Sequence, residues 1–455
     1  MRGAFLRASG ARFFAVAATL TSGLVNLKLY GHFLTPDIYG VVVVALQIIS
    51  YLPMLDGGFR MAVNRRLLAT GESSERRALT VFSQEVYSWL LVLGLMAGAI
   101  LMAGYASFPR SHVSGHSTAL LFLAMGCSGA LSMFAGAQAG LLLGLGRQAE
   151  MAIISGINAL LGTGVLAAAL WTNTGLWAFP ISQLAIAAAT YGLAIGLLRP
   201  RRNSIPLLKF SLGEKFWCLF RDIRREAWPA FRSQTSIVLL FSSDLILASF
   251  FCKPAEVAIY GVASRVLGII RSFLQTFNEA SWPFIATHAQ KFHRLQDWIT
   301  HVNSLLYGLA GGVLVALLPG FITWYMGSSW QLPAILCWLL VARFLVIGIS
   351  APASYYLIGK GDFRNIARHT EYELISGVTL SLLLGMSHGL LGIAVGYLLG
   401  TAGGTLVPFW WHYAKLRERT LTSLLRTAWA LTLLGFIPGW LCARFLSAYL
   451  PFPHQ

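Results

Sequence analysis

Long apolar runs separated by short polar breaks recur along the whole chain. The runs hold 18 residues or more, enough to cross a hydrocarbon core of about 30 Å. They predict spanning helices at 11–33, 38–60, 80–106, 118–145, 150–170 and 175–198. A second set follows at 229–251, 256–284, 299–325, 331–358, 370–387 and 390–413, with a thirteenth run at 427–449. The first run is longer than the apolar part of a signal peptide and no small-residue cleavage site follows it, so it reads as a retained helix.

One break, Phe33-Leu-Thr-Pro-Asp-Ile-Tyr-Gly40, reads as a helix end followed by a new start. Thr35 suits an N-cap, Pro36 the first helical position and Asp37 the positive helix start. The break returns as Phe251-Cys-Lys-Pro-Ala-Glu-Val-Ala-Ile-Tyr-Gly261, which puts Tyr39 and Tyr260 221 positions apart. Leu143-Gly-Leu-Gly-Arg147 is echoed by Ile358-Gly-Lys-Gly-Asp362 at an offset of 215, and Gly175-Leu-Trp177 by Gly389-Leu-Leu391 at 214. Six spans per half give both halves the same orientation, a parallel repeat about an axis along the membrane normal. Such halves enclose a cavity near the midplane. The expected fold is an all-α polytopic membrane protein of two six-helix lobes plus the thirteenth run. The lobes would be 1–198 and 229–414, joined by an amphipathic cytoplasmic linker at 199–228, with a C-terminal extension at 415–455.

Composition agrees. Residues are 56% hydrophobic and 11% charged, against about 25% charged in soluble domains. The net charge of +17 would suit nucleic acid, but its distribution argues for a membrane. Arg65, Arg66, Arg76, Arg77, Arg147, Lys209, Lys215, Arg221, Arg224, Arg225, Lys360, Arg364, Arg368, Lys415 and Arg417 all fall on one set of alternate loops. The other set carries only Arg110 and Lys253. This marks the cytoplasmic side, with the N-terminus inside, in a multi-pass membrane protein. In the linker, Phe216, Leu219, Phe220 and Ile223 recur at helical spacing among basic residues, as expected for a helix resting on an anionic bilayer. No nucleic-acid partner is implied. The five cysteines show neither a disulfide framework nor metal-ligand spacing, and no cofactor is expected.

Ionisable groups inside spans are costly, so they are candidates for function. In the first span Arg12 and Asn26 share a face, with Thr19 midway, while Lys28 points nearly opposite. Ser264, Gly268, Arg271, Gln275 and Asn278 line one face of the eighth span, with Arg265 at its edge. Arg232 shares a face with Ser236 and Ser243, and Arg343 with Ser350 and Ser354. Arginines gathered on one cavity need an anionic occupant, and guanidinium is shaped for phosphate oxygens. The competing reading pairs each arginine with a membrane acid, as Asp56 and Arg60 at i,i+4 would be. Asp244, Glu279 and Asp56 are candidates for coupling to a proton or sodium gradient, with Glu371 and Glu373 as further carboxylates.

Leu34-Thr-Pro-Asp-Ile-Tyr-Gly40, Leu55-Asp-Gly-Gly-Phe59, Gly144-Leu-Gly146, Gly175-Leu-Trp177, Ala258-Ile-Tyr-Gly-Val-Ala263 and Gly359-Lys-Gly361 together resemble the polysaccharide flippases of the multidrug/oligosaccharidyl-lipid/polysaccharide exporter superfamily. The resemblance covers about residues 10–413. It implies two lobes, alternating access, and export of a polyprenyl-pyrophosphate-linked oligosaccharide to the periplasmic leaflet for surface polysaccharide such as O-antigen or exopolysaccharide. Membrane lipids and other polysaccharide-assembly proteins are the implied partners, and no catalysis is implied. The related lipid II flippases carry cavity arginines to which Lys28, Arg60 and Arg271 would correspond. The alternatives are an ion-coupled multidrug antiporter of the same fold and a membrane-embedded glycosyltransferase or ligase.

Overall fold

A computed structural model of the protein describes residues 2–69, 73–106, 116–198, 210, 213–288, 293–360, 362–417 and 420–447. Residues 199–209 of the expected linker lie outside them. The described residues form helices α1 (Arg2–Phe33), α2 (Pro36–Ile49), α3 (Phe59–Ala69), α4 (Ser73–Ala106), α5 (His116–Gly144), α6 (Gln148–Trp171) and α7 (Ala178–Leu198). They continue with α8 (Glu214–Phe251), α9 (Pro254–His288), α10 (His293–Met326), α11 (Ala334–Gly359), α12 (Phe363–Thr401), α13 (Val407–Leu416) and α14 (Leu421–Ser447). No strand occurs among the described residues.

Among the described residues eleven helices are long and apolar enough to cross a membrane, and a bent pair within α8 would make a twelfth. One of the eleven, Arg364–Leu416, is 53 residues long. At ~1.5 Å per residue it would run about 80 Å, far more than one bilayer. It is a hairpin. Gly389 breaks it at φ 55, a left-handed conformation that glycine adopts at little cost. Beyond the break the two arms lie antiparallel and almost touching. A Cβ on Gly392 would meet the Leu384 carbonyl, one on Gly396 the Ser381 backbone, one on Gly400 the Gly377 backbone, and one on Gly404 the Glu373 backbone. Gly175, the sequence counterpart of Gly389, is also left-handed at φ 59. The second predicted span departs from expectation. It ends as a helix at Ile49, because Pro53 enters a 3-10 turn (Leu52–Asp56) and Gly57 and Gly58 take φ 58 and 77 before α3 begins.

The chain divides into two compact units, residues 1–29 with 44–235 and residues 30–43 with 236–455. In the first, α4 and α5 meet at Gly98 and Gly126, each occupying the space a Cβ on the other would need. Its core gathers Phe82, Tyr87, Val63, Leu67, Phe134 and Leu141, and includes Phe216, Ile223 and Ala227 of α8. Phe220 stacks on Phe59 with ring centroids 4.7 Å apart. The expectation that the linker rests its apolar face on the bilayer is therefore corrected: that face packs on protein, where aromatic contacts hold it.

In the second unit α14 runs beside α10. Gly308 faces the Thr432 carbonyl and Gly312 that of Phe436, while Gly435 and Gly439 face the carbonyls of Leu305 and Leu309. Both series rise together, so the two helices are parallel. Pro352 in α11 has no N–H for the Gly348 carbonyl, and Asn303 of α10 donates its Nδ2 to that oxygen instead at 2.7 Å. The hairpin's open end is tied by Asp362, which accepts from His412 Nε2 at 2.9 Å and Asn365 Nδ2 at 2.9 Å.

Two outcomes follow for stability. Gly400→Leu should lower the thermal midpoint of the solubilised protein by the equivalent of about 1–3 kcal/mol, the usual cost of overpacking. Gly403→Ala, whose Cβ meets nothing within 4 Å, should leave the midpoint unchanged. Partial burial pushes the Asp362 carboxyl up, but the Asn365 donors and His412 outweigh it and hold the pKa below its ordinary value. A carboxyl held low in the fold stabilises it above roughly pH 4, and that contribution fades as pH falls through the lowered value. The midpoint difference between wild type and Asp362→Asn should thus be flat from about pH 7 to 5 and shrink below about pH 4. A difference that grows on acidification would contradict this.

Candidate functional site

The densest polar constellation lies inside the second unit, where α8, α9, α11 and α12 meet. Asp244 Oδ2 accepts from Arg343 Nη1 at 3.0 Å and from the Tyr260 hydroxyl at 3.0 Å, while Oδ1 accepts from the Leu245 N–H at 2.8 Å. Arg343 Nη2 donates to the Leu240 carbonyl at 3.3 Å, and the guanidinium lies 4.8 Å from the Tyr397 ring centroid. Tyr397 in turn shares a hydrogen bond with Ser243. Arg343 is 8% exposed and Asp244 5%, so both charges are out of water. Such a pair survives burial only when its remaining donors and acceptors are also met, as most are here.

This arrangement corrects two expectations. Arg343, expected on a shared cavity, is committed to Asp244, Leu240 and Tyr397. Asp244, expected as an ion-coupling group, has both oxygens occupied by protein donors. Asn278 is also drawn inside: its Nδ2 donates to Asn303 Oδ1 at 2.7 Å in a fully buried chain that ends on the Gly348 carbonyl. Arg265 is clasped by aromatic rings, its guanidinium 5.9 Å from the centroids of Tyr30 and Tyr39. Tyr39 stacks on Tyr30 at 4.8 Å and meets Trp330 edge-on at 5.5 Å.

What remains of the α9 stripe is open. A Cβ on Gly268 would meet nothing within 4 Å, and Arg271 and Gln275, one and two turns further along α9, are half-buried. Arg271 is in the electrostatic neighbourhood of Arg343, Tyr307 and Tyr355. Glu373 of α12 lies in the field of both arginines, is 3% exposed, and its Oε1 lacks a hydrogen-bond partner among the described residues. Tyr260, Tyr307 and Tyr397 were not singled out from the sequence. Tyr260 was visible as part of the repeated Tyr-Gly signature, but nothing in its spacing pointed to a carboxylate partner.

In the first unit Arg60 Nε is 3.5 Å from Asp56 Oδ2, the i,i+4 pair its spacing predicts, and a third of the Arg60 side chain stays exposed. Asp56 Oδ1 also accepts from the Gly58 N–H at 2.7 Å and so closes the turn before α3. Arg12 and Lys28 are exposed, and Asn26 and Arg232 are half-buried. The side chain of Glu279 lies outside the described residues. Within the second unit Arg271, Arg343, Asp244 and Glu373 are thus brought together; within the first, Arg60 and Asp56 are.

The Asp244–Arg343 pair makes a stability prediction. Asp244→Ala strands a buried guanidinium and should cost about 3–5 kcal/mol in unfolding experiments in micelles. The double variant Asp244→Leu, Arg343→Met removes both charges and should recover most of that loss. Equal destabilisation in the single and double variants would deny the pairing its role.

With this geometry in hand, comparison with known proteins places the chain. Its fold is similar to that of the lipid II flippase MurJ in an inward closed conformation, at a TM-score of 0.72 and 13% identity over 98% of this chain and 93% of that one. It is also similar to an inward-facing multidrug resistance MATE family transporter of the MOP superfamily, at 0.64 and 15% identity over 91% of this chain and 99% of the other. A MOP superfamily transporter from Pyrococcus furiosus matches at 0.53 and 16% identity, over 92% and 96%. At these identities the likeness shows the fold alone, an all-α assembly of membrane helices. No curated protein sequence matches. The family model described as polysaccharide biosynthesis protein matches residues 10–288, more than half of the chain, and the protein belongs to that family.

Proposed function

We propose that the protein is a flippase that moves a polyprenyl-pyrophosphate-linked oligosaccharide from the cytoplasmic to the periplasmic leaflet of a bacterial inner membrane. The observation that carries this reading is the α9 stripe, where a Cβ on Gly268 would meet nothing within 4 Å and half-buried Arg271 and Gln275 follow one and two turns further along. A sugar-pyrophosphate head cannot cross hydrocarbon, and guanidinium groups match its oxygens. The lipid tail stays in the bilayer while the head is held in the polar interior. Alternating access then opens that site to one side of the membrane at a time. Surface polysaccharide assembly is then the process served, with the family assignment in support.

An ion gradient would act through Glu373 in preference to Asp244. Glu373 keeps an oxygen open toward two arginines, whereas Asp244 has both of its oxygens bound. Protonation of Glu373 would remove a competitor for Arg271 and so link head-group binding to proton uptake.

Deleting the protein should leave lipid-linked glycan on the cytoplasmic leaflet, read as loss of surface glycan and protection of the intermediate from externally added glycosidase in intact spheroplasts. Arg271→Ala and Gly268→Leu should reproduce the block with normal protein levels. Glu373→Gln should abolish any acceleration by an imposed proton gradient. Normal surface glycan in the deletion strain, with raised sensitivity to cationic drugs, would favour multidrug antiport, the activity of the MATE transporters that share the fold.

A further inference from the structure

Once the apolar face of the α8 N-terminal segment is packed into the first unit, the exposed face beside it is left to be explained. Phe216, Ile223 and Ala227 point inward, 8%, 0% and 1% exposed, with Phe220 half-buried on the same side. The outward stripe, one residue on, is Trp217, Arg221, Arg224 and Trp228, at i, i+4, i+7 and i+11, one line along a helix. All four are exposed, the two tryptophans at 51% and 58%. The inward stripe has the same spacing, so the segment has two faces of different chemistry. No ion pair among the described residues engages Arg221 or Arg224.

We propose that this Trp-Arg-Arg-Trp stripe is a binding surface for anionic phospholipid head groups. The argument is charge complementarity combined with the type of aromatic. Arginine forks hold phosphate oxygens bidentately, and tryptophan is the side chain that settles at the level of lipid head groups, ring in the acyl boundary and N–H toward water. The acids nearby do not neutralise the stripe. Asp222 lies about 100° round the helix from Arg221, and its carbonyl accepts from Arg66 Nη2 at 3.2 Å, which brings a further cation to this end of the unit. Glu214 sits in the first turn of α8, where a negative charge offsets the helix dipole. The segment leads straight into the apolar stretch that begins at Ala227, so the stripe ends where a bilayer boundary would begin.

The surface has a consequence beyond anchoring. α8 is continuous from Glu214 to Phe251, and its residues belong to the first unit through Thr235 and to the second from Ser236. A lipid held on the stripe therefore grips a helix whose residues run from the first unit into the second. Membrane charge then becomes a regulator of whatever motion α8 takes part in. This inference does not depend on which cargo is carried.

The test is native mass spectrometry of the full chain in detergent, titrated separately with phosphatidylglycerol and phosphatidylcholine. Wild type should retain phosphatidylglycerol in preference to phosphatidylcholine. Each exposed arginine near an anionic surface changes affinity about fivefold, so Arg221→Gln with Arg224→Gln should weaken phosphatidylglycerol binding about 25-fold. Trp217→Ala with Trp228→Ala should shorten lipid retention without changing the preference for anionic lipid. Arg364→Gln with Arg368→Gln, two exposed arginines elsewhere on the basic side, is the control and should leave affinity near wild type. Arg221 and Arg224 are exposed, so the melting curve of the arginine variant should match wild type and separate lost binding from lost folding. Equal phosphatidylglycerol affinity in wild type and the Arg221, Arg224 variant, or an equal loss in the control, would overturn the proposal. So would a photoreactive amino acid in place of Arg221 that yields protein adducts in cells and no lipid adduct.

Discussion

Between two helices in hydrocarbon, burying a leucine gains almost nothing, because the lipid tail it displaces is just as apolar. What holds such helices together is backbone approaching backbone, and this fold is built on that constraint. Gly392, Gly396, Gly400 and Gly404 zip the two arms of the hairpin that turns at Gly389; Gly308, Gly312, Gly435 and Gly439 seat α14 against α10; Gly98 and Gly126 seat α4 against α5. At each site a Cβ would collide with main chain, so the contact exists only because the side chain is missing. The same requirement explains why the fold can tolerate so many exposed large apolar residues on its outer faces, such as Leu434, Ile437 and Phe445 of α14. They are left to lipid because they are not needed for helix association.

Close backbone packing is not selective on its own, and buried polar contacts supply selectivity. The Pro352 kink frees a carbonyl on α11 that only a donor at the level of Asn303 can meet, which fixes α10 against α11. Arg343 does the same for three helices at once, joining α11 to α8 through Asp244 and the Leu240 carbonyl and to α12 through the Tyr397 ring. The arginines of the second unit differ in their surroundings. Arg343 and Arg265 hold structure, one through a carboxylate and one through tyrosine rings, while Arg271 is beside open space on the same helix as Arg265.

The duplicated Tyr-Gly signature is where the two halves of the sequence leave their clearest trace. Gly40 lies against the Pro254 carbonyl and Gly261 against Val43, so each copy uses its glycine to approach the other copy's helix start. Residues 30–43 accordingly belong to the second unit, although the rest of α1 and α2 belongs to the first. The two tyrosines have diverged in partner. Tyr260 donates to Asp244, and Tyr39 lies beside Arg265 under Trp330. A repeat that began as one motif now serves an ion pair in one copy and a cation–aromatic clasp in the other.

Much of this could be read before any coordinates. Apolar run length set the number of membrane passes, because crossing about 30 Å of hydrocarbon is a one-dimensional requirement. The breaks at Pro36, Pro254 and Gly389 were legible for the same reason: proline and glycine act on their own backbone. The i,i+4 pair of Asp56 and Arg60 was also local, and it formed. Tertiary structure decided which charges meet. Asp244 and Arg343 are 99 residues apart, and no helical periodicity can show that their faces converge, or that Phe216 turns toward protein and Trp217 away from it. A helix wheel reports which residues share a side; only packing determines what that side faces.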